Sequence, residues 1–561
     1  MARTIGIIAP IFPEELANID FTLKLEQDKR ELTIQNLSEI IIKKYNYNKL
    51  RKIVKYSEST IPAAGYYLTG LLRANGYNTV MANIINKKTI KAIAKQDPFA
   101  ICISTTMILK NSTLQWLIEK IRKELPNCYI IVGGVFVLKS SYWNNLLEKK
   151  YQFSNSLMIN NSLTIFPCNK SNMSADVFII SNHGKTELLN VLKELDKGSK
   201  ANLHAIPNLA IPDTNGDFQF TKIYEEQVDF NTDFTRWDLI DELPLRIPIR
   251  TSIGCSYRCG YCDFCSLYPK LVLRTSESIL DELNIIKNIS RKKESHHILH
   301  ITDDNVFLNE GRLKKICETF IKADVKAWAS FMRASTIKPS NISLIKESGL
   351  VYSYLGIESG DQGQLDRMFK NQSINDIKQG VELLDSIGIS SLMTFLVGYP
   401  GETEKTIANT ADFINNLQIG FGFPNFQLYP MYLSPLSRIS MPELRKKWEI
   451  NGQLNNWSHK TMTSQEATIQ CFELFKKIND VSYHYNSENN LFNKKYDKGT
   501  RKLLFNLRKL LTVKLIEKSK KDDIKNILID ISKLLGHGTV IPPDTIMSDI
   551  SIPDIITGTE L

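Results

Sequence analysis

Four of the chain's nine cysteines fall within eleven residues, in the run Arg250-Thr251-Ser252-Ile253-Gly254-Cys255-Ser256-Tyr257-Arg258-Cys259-Gly260-Tyr261-Cys262-Asp263-Phe264-Cys265. The run follows a short β-like stretch, Leu245 to Ile253, and carries glycines, so it reads as a loop leaving a strand. Loops do not bury several side chains together, so crowded thiols there are poor core filler. Thiolates at this spacing are the usual way a chain holds iron–sulfur or zinc. The total is odd and clustered rather than paired along the chain, which speaks against a secreted disulfide framework.

At 561 residues the chain has the length of several domains, and its 43% apolar content is enough for sizeable cores. The net charge of +10 is spread along the sequence. Such dilute positive charge can steer an anionic substrate but leaves no nucleic-acid footprint. No apolar run approaches the ~18 residues of a membrane span. The apolar start, Met1 to Pro10, is short and is followed by Pro13, Glu14 and Glu15, so it reads as a buried strand rather than a signal peptide. The expectation is a cytoplasmic protein with no membrane partner.

Residues 1–200 alternate strand and helix signals. Strands are expected at Thr4–Ile8, Thr79–Ile84, Ala100–Ser104, Cys128–Val132 and Asp176–Ile180, with amphipathic helices between them. Nearly continuous apolar strands separated by helices imply a doubly wound parallel sheet, an α/β fold whose ligands bind beyond the strand C-termini. Two polar turns, Ser104-Thr105-Thr106 and Gly133-Gly134, sit there. Residues 20–57 are a polar, lysine-rich insertion with no assignable place. Residues 201–245, with Pro207, Pro212 and a turn at Asn215-Gly216-Asp217, read as a linker.

From 246 to 435 the rhythm resumes, with strands near 249–254, 298–302, 326–332, 351–356, 390–396 and 425–429. Six such units make a partial (β/α)6 barrel, short of the eight of a closed one. Its unusual residues fall at strand ends: Thr302-Asp303-Asp304-Asn305, Arg333, Gly356-Ile357-Glu358-Ser359-Gly360 and Gly398-Tyr399-Pro400-Gly401-Glu402-Thr403. Residues 436–561 read as a helical C-terminal region. Within it Asn456-Trp457-Ser458-His459-Lys460-Thr461-Met462-Thr463 reads as a loop able to close over an anionic substrate, with His459 and Lys460 as candidate catalytic residues.

The ordered set of motifs resembles the cobalamin-dependent (class B) radical S-adenosylmethionine (SAM) enzymes, and the resemblance covers roughly residues 1–435. It implies that Cys255, Cys259 and Cys262 hold a 4Fe–4S cluster whose fourth iron is left for SAM, with Tyr261 against the adenine. It implies Asp303, Asp304, Arg333, Glu358 and Ser359 as SAM contacts, Glu358 toward the ribose. The N-terminal half resembles the cobalamin-binding domain of the same class, which implies Ser104, Thr105, Gly133 and Gly134 as cobalamin contacts. No Asp-x-His-x-x-Gly occurs and no histidine precedes His183, so the cobalt is expected to lack a histidine ligand from this domain. Cys265 is not required by the family pattern; as a fourth ligand it would close the cluster, and otherwise it is a small buried thiol.

The activity implied is methylation of an unactivated carbon or phosphorus centre in a natural-product or peptide substrate, driven by an electron donor such as flavodoxin or ferredoxin. Two other readings stand beside it: a radical SAM rearrangement or ring-forming enzyme without methyl transfer, and a non-catalytic iron–sulfur electron-transfer protein. Methylthiolation needs three further cysteines for a second cluster. Cys102 and Cys128 lie in apolar strands, as core thiols do, and Cys168 is the third.

Overall fold

The computed structural model describes residues 2–10, 62–148, 164–166 and 174–483, except 199–200, 214, 216, 293–296, 421, 423 and 480. It also describes a hairpin (Leu25–Gln27 with Arg30–Leu32) and short helical pieces between 503 and 530. Most of the 20–57 insertion, Cys168 and most of the 500–535 stretch lie outside the described residues.

The N-terminal unit alternates β1 (Thr4–Ile8), α1 (Ala63–Ala74), β2 (Asn78–Ala82), α2 (Lys87–Ala94), β3 (Ala100–Ser104), α3 (Asn111–Glu124), β4 (Tyr129–Gly133), α4 (Val135–Glu148), β5 (Val177–Ile179) and α5 (Lys185–Leu195). The strands lie in the order β2-β1-β3-β4-β5, all parallel. Both faces are covered, which is why the strands are apolar without alternation. Ile5 and Ile7 pack with α1 and α5, whereas Ile8, one residue on, packs with α3 and α4. Each such buried isoleucine contributes about 1.5–3 kcal/mol relative to exposure.

The expected linker does more than connect. Its β6 (Leu209–Pro212) and β7 (Phe218–Phe220) join the same sheet as an antiparallel edge beside β5. Its later part crosses to the second unit, where Trp237 is fully buried and its indole Nε1 donates to Glu282 at 2.8 Å.

The second unit begins one turn earlier than its sequence signal. β8 (Arg246–Ile249) ends at Ile249, and Ser252–Ile253 instead forms β9 of a small ribbon with β10 (Val272–Leu273), enclosing the cysteine loop and α6 (Phe264–Leu267). Then follow α7 (Ser276–Lys292), β11 (Ile298–Ile301), α8 (Glu310–Lys322), β12 (Trp328–Met332), α9 (Ile342–Glu347), β13 (Leu350–Glu358), α10 (Gln362–Arg367), α11 (Ile374–Ser386), β14 (Ser390–Val397), α12 (Glu404–Asn415) and β15 (Asn425–Pro430). The six barrel strands pair in parallel and in chain order, an open barrel.

Past residue 435 the chain is not purely helical. After α13 (Pro442–Trp448), three short antiparallel strands, β16 (Asn451–Gln453), β17 (Asn456–His459) and β18 (Met462–Thr463), precede α14 (Ser464–Lys477). A seventh strand, β19 (Ser482–Tyr483), then pairs with β15. Gly452, with φ +72, lets β16 turn into β17, which explains why a helical reading failed there. No described helix is long and apolar enough to cross a membrane.

Candidate active site

All four loop thiols are half-buried at the mouth of the barrel. The loop is held from both units. Lys139 of α4 pairs with Asp263 at 2.9 Å, Asn182 donates to the Leu267 carbonyl at 3.1 Å, and Leu267 is buried in the core of the N-terminal sheet. From the barrel side, Gly260 N–H donates to Met368 O at 2.7 Å, and a Cβ on Gly260 would lie 2.1 Å from the Tyr399 hydroxyl. The Gly398–Thr403 motif thus buttresses the loop, as its glycine and proline content suggested.

Sulfur chemistry marks the loop for metal. Contact with the Cys262 thiol, helped by Arg258, draws Cys265 down to about 6, and burial raises Cys255. The Cys265 thiol donates to the Tyr257 carbonyl at 2.9 Å. Among the described residues no three thiols converge on one point, as ligands of a single ion must. A cubane makes no such demand, since each thiolate ligates its own iron. The donor set therefore suits a cluster. By contrast Cys102 and Cys128 are buried in the N-terminal unit, and desolvation pushes both thiols up to about 12.

The sequence-derived SAM contacts separate into two groups. Asp303 is buried and accepts from Thr251 N–H at 2.7 Å, Thr251 Oγ1 at 2.5 Å and Ser252 Oγ at 2.7 Å. Its oxygens are spent closing the end of β8, so it anchors the loop rather than facing a ligand. Ser359 is likewise buried, accepting from Asp361 N–H at 3.1 Å beside Thr410. Arg333 reaches 3.9 Å from the Cys259 sulfur, lies 3.7 Å over the Tyr257 ring, and donates to the carbonyls of Lys370 and Asn371. It is a loop clamp beside the sulfurs, not a free barrel-mouth cation.

The second group points inward. Asp304 is accessible but sits deep in the mouth, and desolvation there raises its carboxyl to about 7. Asn305 is 3% exposed, and both its amide atoms lack a partner among the described residues. Tyr261 donates to Glu358 at 3.0 Å, and Lys370 donates to Tyr261 at 2.9 Å and to Glu358 at 3.2 Å. Lys370 was not marked in the sequence, where it lies in a polar stretch with nothing to distinguish it.

On the other side of the loop a cleft of about 300 Å³ lies between the C-terminal ends of the N-terminal strands, linker residues 230–235 and the barrel's Pro248–Arg250. Ser104, Gly133 and Gly134 line it, and Gly134 (φ +106) has no room for a side chain, since a Cβ there would lie 2.9 Å from the Thr105 nitrogen. Thr105 does not line it. Its hydroxyl donates to Gly133 O at 2.8 Å and holds the two turns together, while Thr106 faces the cleft instead. The loop after β5 also enters, and His183 stands in the cleft wall. Glu226 pins that loop, accepting from Gly184 N–H and Thr186 N–H at 2.7 Å each. The strand-end rule that marked the other turns would have marked this one.

The candidate catalytic pair is placed elsewhere. His459 is on β17, 8% exposed, with Nε2 bonded to Gly398 O at 2.9 Å and its ring stacked 5.1 Å from Trp457. Lys460 points to solvent and pairs with Glu449 at 3.2 Å. The segment is a braced ribbon, not a mobile loop, and it supports the Gly398 turn. Within that turn Glu402 is buried and accepts from Gly398 N–H, and desolvation raises its carboxyl to about 8. The folded chain therefore keeps a proton that the unfolded chain releases at ordinary carboxylate pH. Stability from this group is full below about 4.5 and is lost as pH rises through about 8. Glu402→Gln is expected to flatten that fall, read as denaturation midpoints between about pH 5 and about pH 9.

With this geometry in hand, residues 249–414 match the model of the radical SAM superfamily. One relative is the anaerobic magnesium-protoporphyrin IX monomethyl ester cyclase of Rubrivivax gelatinosus. It is 22% identical over 378 residues, covering 62% of this chain and only 61% of that protein. Among solved structures, the radical SAM methyltransferase TsrM from Kitasatospora setae, with cobalamin and a 4Fe–4S cluster bound, aligns with TM-score 0.52 at 14% identity, covering 80% of this chain and 75% of that one. The cobalamin-dependent SAM radical enzyme OxsB, with aqua-cobalamin and SAM bound, aligns with TM-score 0.55 at 14% identity, covering 96% and 76%. Residues 249–414 thus match a radical SAM domain, and the chain shares its fold with these cobalamin-dependent enzymes.

Proposed function

We propose that this chain is a cobalamin-dependent radical SAM methyltransferase acting on an unactivated carbon or phosphorus centre of a natural-product or peptide substrate. The observation that carries the reading is the shared wall between two sites. The cysteine loop closes one end of the barrel while its α6 and Asp263 are gripped by the N-terminal unit, whose strand-end cleft opens beside it. When bound, the cluster would supply the electron that cleaves SAM, and cobalamin would carry the transferred methyl group.

The chain's own part is positioning and exclusion of water. Cys255, Cys259 and Cys262 would hold the cluster, and Tyr261, Glu358 and Lys370 would orient SAM on its barrel side. Ser104, Thr106 and the bare Gly133-Gly134 backbone would receive cobalamin at the sheet edge. The electron would come from a small donor such as a flavodoxin or ferredoxin. Anaerobic reconstitution with iron, sulfide and cobalamin, then SAM and reductant, tests the reading through its nucleoside products. 5′-Deoxyadenosine together with S-adenosylhomocysteine is the expected result. Deoxyadenosine alone would favour a rearrangement, and neither product from a cluster-loaded, cobalamin-loaded protein would refute the proposal.

A further inference from the structure

The ribbon that encloses the cysteine loop carries an exposed apolar strand. Leu271, Val272 and Leu273 are 40%, 40% and 42% exposed. Successive side chains of a strand point to opposite faces, so exposure of all three means that both faces of β10 are open. Single apolar residues on a surface are ordinary, but a contiguous group marks an interaction site. The group is wider than the strand. The Lys270–Glu225 pair at 2.6 Å ties the ribbon to the linker, where Ile223 and Tyr224 are 53% and 52% exposed. None of these five apolar residues lines the cleft beside the N-terminal sheet.

The patch stands directly against the thiol loop. Leu273 pairs with Ser252 and Val272 with Ile253, and a Cβ on Gly254, the residue before Cys255, would collide with the Lys270 carbonyl. Between Cys255 and Cys259 the exposed Arg258 reaches across, donating to the Cys265 carbonyl at 3.4 Å and to the Pro269 carbonyl at 3.3 Å. Among the described residues no carboxylate pairs with it. Lys222, beside Ile223, is exposed as well. The apolar centre therefore has cations at its side, and the acid among them, Glu225, is already paired with Lys270.

Electron delivery asks for this combination: closeness to the acceptor, a small contact and fast release. Redox encounters bury less surface than most specific complexes, under about 1,200 Å², and opposite charge steers them. Resting on the radical SAM reading above, we propose that the β10 ribbon is the docking surface for the electron donor. The donor is a small acidic carrier protein that sets an apolar face on Leu271–Leu273 and its carboxylates on Arg258 and the two lysines. One electron leaves the reduced carrier and the cluster takes it up, passing from the 2+ to the 1+ state, with no bond made or broken. A second copy of this chain, with net charge +10, would bring like charge to the same rim.

The test uses the full chain with its cluster reconstituted, and reduced flavodoxin as the probe. Cluster reduction is followed by electron paramagnetic resonance of rapidly frozen samples, with dithionite as a small reductant that needs no docking surface. Binding of oxidised flavodoxin is measured separately, without turnover. Leu271→Asp and Val272→Asp each place a carboxylate in the patch. Both are expected to slow reduction by flavodoxin and to weaken its binding by roughly tenfold, while iron content, Tm and the dithionite rate stay as in wild type. Arg258→Gln is expected to make the flavodoxin rate less dependent on salt. Flavodoxin rates within about twofold of wild type in both aspartate variants would overturn the inference. So would an equal fall with dithionite, which makes the ribbon a brace for the loop, or wild-type self-association that Val272→Asp abolishes, which gives the face to a second copy. Reduction of wild type by dithionite but by neither flavodoxin nor ferredoxin also rejects it. A wild-type protein that assembles no cluster rejects the underlying radical SAM reading instead.

Discussion

Cys259→Ala is expected to leave the reconstituted protein without its cluster. Iron should fall from about four per chain to under about one, and the broad visible absorbance of sulfide-bridged iron should vanish with it. The thiol is the best placed of the four for this role. Its sulfur faces the Arg333 guanidinium at 3.9 Å, and the next residue is fixed by the Gly260–Met368 hydrogen bond of 2.7 Å. The arginine would offset the negative charge of a thiolate-bound cluster and hold the loop while it assembles. Cys265→Ser is expected to keep iron and SAM cleavage. Cys265 lies in the short α6, and its thiol is engaged with the Tyr257 carbonyl, a contact that a serine hydroxyl can also make. Loss of the cluster in Cys265→Ser with retention in Cys259→Ala would overturn the three-ligand assignment and favour a closed, electron-carrying cluster.

Glu282→Ala is expected to cost about 3–5 kcal/mol in the stability of the barrel. The Arg274 and Glu282 side chains are 1% and 2% exposed, and they form a direct ion pair that also receives the Trp237 indole. Burial raises the carboxyl pKa despite the arginine, so the pair is only just compensated. Removing one partner leaves a guanidinium buried without its counter-charge and an indole N–H without an acceptor. The loss should extend to the site, because Arg274 also donates to the Arg250 carbonyl at 2.9 Å, where β8 passes into the cysteine loop. Denaturant midpoints should show the loss, with Glu282→Gln milder because the amide can still accept from Trp237. A change under about 1 kcal/mol would mean that water reaches the pair.

Much of the architecture was legible because local chemistry dictates it. Thr4–Ile8 and Ala100–Ser104 form strands as their apolar runs suggested, since a strand covered on both faces needs no polar alternation. The linker's strands were missed because Leu209–Pro212 and Phe218–Phe220 are short and draw their stability from the edge of β5. The tail ribbon was missed because a dense polar–aromatic run reads as a loop, although Trp457 and His459 are buried against the Gly398 turn.

Within the site, the sequence alone determined which chemistry the loop can do. Thiolate spacing follows from chain connectivity, and no fold changes which residues are cysteine. It could not assign work to the groups around them. Asp303 and Asp304 are neighbours of identical type, yet the loop after β11 turns one into the Thr251 backbone and leaves the other accessible. Thr105 and Thr106 divide in the same way between a structural hydroxyl and a cleft wall. Lys370 is the clearest case. Its position depends on left-handed backbone at Phe369 and Asn371 and on Arg333 from another strand. Those are long-range constraints that no local pattern encodes, so only the tertiary structure decided that this lysine meets the cysteine loop.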